Sequence, residues 1–150
     1  IQVAEATKAD PKDRDLLLAA IEEVSQRMHF RYEVHVPGEE KLLFGYLGDM
    51  RQDTGEIIIR RNHLNPDGAS NDMAWSRAAD GTYKLVISRF DRGSDQRAQA
   101  IAEAVDLQYQ ENFVRRQVSA NPAFAGAQIE CHRTHTGAVE MRLVNVHVGG

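Results

Sequence analysis

Met73-Ala74-Trp75-Ser76-Arg77-Ala78-Ala79-Asp80-Gly81-Thr82-Tyr83-Lys84-Leu85-Val86-Ile87-Ser88 decides the fold. Two extended runs, Met73 to Ser76 and Thr82 to Ser88, flank Ala79-Asp80-Gly81. Asp-Gly is a hairpin signal because glycine takes positive φ at little cost. A tight hairpin makes its two strands antiparallel neighbours. Upstream, Tyr32-Glu33-Val34-His35-Val36 alternates polar and apolar residues until Pro37-Gly38 turns the chain. Leu42 to Leu47 is a second strand candidate. Glu56 to Arg61 is a third, its β-branched Ile57-Ile58-Ile59 favouring extended backbone. The Asp- and Gly-rich segment between those two reads as a loop, and Asn65-Pro66-Asp67-Gly68 as a turn.

Helices stand on either side of this strand-rich middle. Asp10-Pro11 reads as a helix start, a capping carboxylate followed by proline at the first helical position, with Asp13 on the favourable side of the dipole. Leu17, Ala20, Ile21, Val24 and Met28 then recur at spacings of three and four and define one apolar face. A second helix opens at Ser94 or Asp95 and ends at Asn121-Pro122, with Ala98, Ile101, Ala102, Val105, Tyr109 and Phe113 as its stripe. Leu107, Val114 and Val118 lie off that stripe, so its apolar side is wide enough to meet a second body. Ile1 and Val3 form a strand at the start. Gln128 to Thr134 and Ala138 to Val148 form two at the end, with a phase flip that implies a bulge near Leu143 or burial on both faces. The expected fold is α+β, an antiparallel or mixed sheet with two long helices packed on one face.

A chain of 150 residues fits one domain spanning 1–150. With 42% hydrophobic and 27% charged residues it has the make-up of a folded globular protein. Eighteen Lys and Arg against 22 Asp and Glu leave a formal charge of −4 and no general field for phosphates, so nucleic acid is not an expected partner. The single cysteine, Cys131, excludes an internal disulfide and fits a reducing compartment. No apolar run approaches the roughly 20 residues that cross a bilayer, and the N-terminal residues lack a signal-peptide pattern. A cytoplasmic location without membrane contact is the expectation.

Candidate chemistry is thin. Cys131-His132 and His135 have metal-binding side chains, but strand alternation turns neighbouring residues to opposite faces, so no metal site is expected. His29, His35, His63 and His147 are scattered, and no nucleophile motif accompanies them. His35 and His147 carry the alternative of a small enzyme using histidine as general acid or base. Asp67, Asn71 and Asp72 have hard oxygens, yet turns use the same residues for backbone hydrogen bonds. Arg51, Arg60-Arg61 and Arg115-Arg116 read as solvated basic groups. No cofactor motif is present. The terminal Gly149-Gly150 follows a strand, as in carrier and modifier proteins whose diglycine is adenylated, and gives a third alternative.

Ile1-Gln2-Val3 and its following helix, the hairpin Asp72-Met73-Ala74-Trp75 to Asp80-Gly81-Thr82-Tyr83-Lys84-Leu85-Val86, and the closing segment from Ile101 to Gly150 together resemble an uncharacterised conserved-reading-frame family of algal plastids and cyanobacteria. That family has planctomycete-type bacterial relatives known as a domain of unknown function. The resemblance covers most of the chain. It departs where Arg89-Phe90-Asp91-Arg92 replaces a tryptophan-rich segment, in longer loops at Asp49 to Gly55 and His63 to Asn71, and at the absent Ser-His start. It implies a small soluble protein, often encoded beside an AAA-type ATPase, hence an accessory subunit. With no acid, base and nucleophile to assemble, the expected function is a non-catalytic accessory or adaptor subunit. It would bind other proteins, an AAA-type ATPase or further copies of itself, through Tyr109, Phe113, Val114 and Val118.

Overall fold

The computed structural model describes residues 2–5, 11–45, 48–64, 71–87, 95–124, 126, 128–133 and 139–144. In chain order it contains β1 (Gln2–Glu5), α1 (Arg14–Met28), β2 (Glu33–Val34), β3 (Lys41–Phe44), β4 (Met50–Gly55), β5 (Ile57–Ile59), α2 (Arg61–Leu64), β6 (Met73–Arg77), β7 (Tyr83–Val86) and α3 (Asp95–Ala120). A 3-10 turn (Pro122–Phe124), β8 (Gln128–Arg133) and β9 (Val139–Val144) follow. The fold is α+β with every strand pair antiparallel. The strands divide among three sheets, in the orders β2-β5-β6-β7, β3-β4 and β1-β9-β8.

The hairpin pairs Arg77 with Tyr83, Ser76 with Lys84, Trp75 with Leu85 and Ala74 with Val86. Directly opposed residues share a face of the sheet, so this register sorts the central sheet into two surfaces. One presents Ile57, Ile59, Met73, Trp75 and Tyr83 to Leu17, Ala20, Ile21 and Val24 of α1 and to Ala98, Ile101, Val105 and Tyr109 of α3. Both long helices therefore cover one face, and the main core lies between them and the sheet. The other surface carries Ile58 and Ala74, packed with Leu43 of β3.

Strands β4 and β5 are nearly continuous, broken only at Glu56. The break lets the β3-β4 hairpin fold over the second surface. A Cβ on Gly55 would lie 2.5 Å from the Ala74 Cβ and 3.0 Å from the Ile58 Cγ1, so glycine is what permits the approach. The segment read as an Asp- and Gly-rich loop is thus strand β4. Its Met50-Arg51-Gln52-Asp53-Thr54 sequence lacks apolar alternation, and its extended form comes from pairing with β3.

The first helix begins later than Asp10-Pro11 predicts. Asp13 is its N-cap and accepts the Leu16 amide at 3.1 Å. The Pro11 carbonyl accepts the Tyr83 amide at 2.7 Å, which ties this residue to the edge of β7. The Tyr109 hydroxyl and Arg116 of α3 also serve the start of α1, with Arg116 donating to Asp13 at 2.5 Å. At the other end His29 adopts φ 57° as C-cap. Arg97 donates to the Met28 and His29 carbonyls at 2.9 and 3.3 Å, placing a cation at the negative end of the helix dipole. The two helices run antiparallel, each end of α1 held by a side chain of α3.

At 26 residues α3 is about 39 Å long. Its far side lies against β9, the middle strand of the sheet formed by both ends of the chain. The β8-β9 register runs through Leu143 without a shift, and the irregularity lies in the β1-β9 ladder instead. The bulge expected near Leu143 is therefore not in that hairpin.

Candidate functional site

Large apolar side chains are left at the surface in one region more than elsewhere. Among the described residues, Val34, Val36, Leu42, Met50, Leu85 and Phe113 are exposed, and the first four fall between positions 34 and 50. Met50 is 65% exposed and Val36 53%, values far from a core position. These four belong to β2, its connection to β3, and the β3-β4 hairpin. The connection is a tight turn in which the Glu39 amide donates to the Val36 carbonyl at 2.9 Å and Gly38 has φ 89°.

Strand β2 is an edge of the central sheet. The His35 amide donates to the Glu56 carbonyl at 2.8 Å, so peptide groups at 33 and 35 face β5. By the alternation of an antiparallel ladder, the N–H and C=O of Val34 point the other way, along the open side. Val34, opposite Ile57, stands on the helix-covered face of the sheet, whereas Leu42 and Met50 belong to the hairpin over the second surface; exposed apolar side chains beside an open strand edge suit protein recognition.

Two carboxylates in this part of the fold, Glu56 and Asp72, are fully buried. Glu56 accepts from Arg14 Nε at 3.2 Å, from Arg77 Nε at 3.2 Å and from the Tyr83 hydroxyl. Arg77 also donates to that hydroxyl at 2.5 Å, and its guanidinium lies 5.1 Å from the centre of the Tyr83 ring. Burial acts to raise the Glu56 carboxyl, but hydrogen bonds from Tyr83, Arg77 and Arg14 outweigh it and hold the group below its ordinary value. Burial first, and then the bond to Glu56, pushes the Tyr83 phenol up to about 12.

Asp72 accepts the Phe44 amide at 2.8 Å, the Arg61 amide at 2.7 Å and Arg60 at 2.9 Å, joining β3, the start of α2 and the end of β5. Arg60 also binds Glu33 and the Leu42 carbonyl. His35 lies between the two clusters. Its Nε2 is buried without a hydrogen-bond partner, 3.6 Å from Glu33, and its carbonyl accepts from Arg14 at 3.2 Å. Apart from His35 Nε2, these groups pair cation with anion and donor with acceptor, which rigidifies the junction of β2, β3 and β5.

The side chains expected to form an interface on α3 are placed differently. Tyr109, Val114 and Val118 are buried within the chain, and of the four only Phe113 is exposed, its ring stacked 6.5 Å from Tyr109. Strand β9 of the same chain also lies close to α3, and the burial of Tyr109, Val114 and Val118 leaves Phe113 as the one of the four open at the surface. Gly149 and Gly150 lie outside the described residues, as do Asp67, His135 and His147. Cys131 and His132 fall on β8.

Rather than closing a local turn, Asp72 ties distant backbone segments together through the Phe44 and Arg61 amides. The basic residues read as solvated have acidic partners: Arg51 with Asp53, Arg60 with Glu33 and Asp72, Arg115 with Glu111, and Arg116 with Asp13. Sequence reasoning missed the Glu56 cluster. Its signal was the hairpin arithmetic, which sets Arg77 opposite Tyr83 across Asp80-Gly81.

Among the described residues no three His, Cys, Asp or Glu side chains converge to hold a metal ion, and no helix is long and apolar enough to cross a membrane. No family model, curated protein or solved structure matches the chain.

Proposed function

We propose that the chain is a non-catalytic accessory subunit that binds another protein around the open edge of β2, where Val34, Val36, Leu42 and Met50 are its exposed apolar side chains. The observation that carries this reading is the exposure of those four side chains near an unpaired strand edge. Covering Val36 and Met50 completely would contribute about 1–2 kcal/mol each. Closed ion pairs leave the polar groups little to offer a substrate. The resemblance described above, whose family members are often encoded beside an AAA-type ATPase, makes an ATPase of that type the first partner to test, in the reducing cytoplasm that a lone cysteine fits.

A photo-reactive residue placed at Val36 or Met50 should crosslink to that ATPase, whereas one at the exposed Glu23 of α1 should not. Equal labelling at the three positions, or none, would overturn the proposal. Light scattering of the purified chain separates self-association through the same residues from binding to a different protein. His35 is the residue on which an enzymatic alternative rests. Its neighbour Glu33 is engaged by Arg60, which weakens it as the partner a histidine base needs.

A further inference from the structure

We draw no further inference here: the strongest candidate, the buried Nε2 of the part-exposed His35 imidazole where β2 meets the bend at Glu56, has in Glu33 a near neighbour already engaged by Arg60, and no second group among the described residues is directed at a ligand there.

Discussion

The Tyr109 hydroxyl accepts the backbone amides of Lys12 and Asp13, each at 3.2 Å, and so satisfies two donors at the start of a helix that begins 95 residues earlier in the chain. A residue expected to face a partner protein is in fact part of the internal frame. Replacing it with phenylalanine keeps the ring in the core and removes only the acceptor. Tyr109→Phe should lower unfolding free energy by about 1–2 kcal/mol in urea titrations. An unchanged midpoint would mean that water replaces the hydroxyl without loss.

Glu56→Gln keeps the shape of the side chain but leaves Arg14 and Arg77 facing an amide. Because both arginines are partly open to solvent, the expected loss is about 2–3 kcal/mol, below that of a wholly enclosed pair. A carboxyl whose value is lowered on folding stabilises the native state fully above its ordinary value of 4.5, and that contribution disappears as pH falls through the lower folded value. The gap between wild type and variant should therefore be constant near neutrality and close in acid. Urea midpoints for both proteins across that range would check it, and a gap that widens in acid would contradict the sign.

The phenols of Tyr32 and Tyr83 are both raised to about 12, by burial first and then by the neighbouring carboxylates Glu22 and Glu56. Their contribution to stability is complete below 10.0, the ordinary value, and is lost as pH rises through about 12. Phenolate absorbance should show a late phase, and Tyr83→Phe should remove part of it. A single transition at the ordinary value would be inconsistent with the buried hydrogen bond to Glu56.

Two glycine replacements separate steric contact from backbone preference. Gly55→Ala sets a methyl against Ala74 at 2.5 Å, which the hairpin relieves only by lifting from the sheet, at a cost of about 1–3 kcal/mol. Gly38 has open space around it and φ +89°, so Gly38→Ala should cost about 1 kcal/mol from backbone conformation alone. Thermal melts rank the two, and the reverse order would show that β3-β4 does not press on Ala74.

Met50→Lys changes a side chain with most of its surface in solvent. Stability should stay within about 0.5 kcal/mol of wild type, while affinity for the partner falls at least tenfold. Binding that survives in both Met50→Lys and Val36→Lys would remove these exposed side chains from consideration.

Local signals were strong where the chain's own neighbours decide conformation. The three- and four-residue spacing in Leu17 to Met28, the Asp80-Gly81 turn and the Asn121-Pro122 stop all correspond to observed elements. Signals were weak where distant segments decide. Asp10 looks as suitable a cap as Asp13, and what distinguishes them is the Tyr83 amide on the Pro11 carbonyl, a contact across 72 residues. Strand β4 has no periodicity of its own and is set by β3. The apolar breadth of α3 was legible, but whether its second stripe meets another protein or another part of the same chain is not encoded in the stripe. Of the exposed apolar residues, Val34 and Val36 were read on a strand, and only the pairing of β2 with β5 shows that Val34 stands at an edge of the sheet.

The bonds that hold the ends of α1 have a consequence for synthesis. Arg97, Tyr109 and Arg116 leave the ribosome long after the residues they hold, with 103 positions separating Arg116 from Asp13. Until they emerge, the first helix lacks those three supports and the apolar face it later shares with α3. Nascent chains ending before α3 should therefore be open to proteolysis and attractive to chaperones, and protection of the amino-terminal third should arise late, together with that of the carboxy-terminal half.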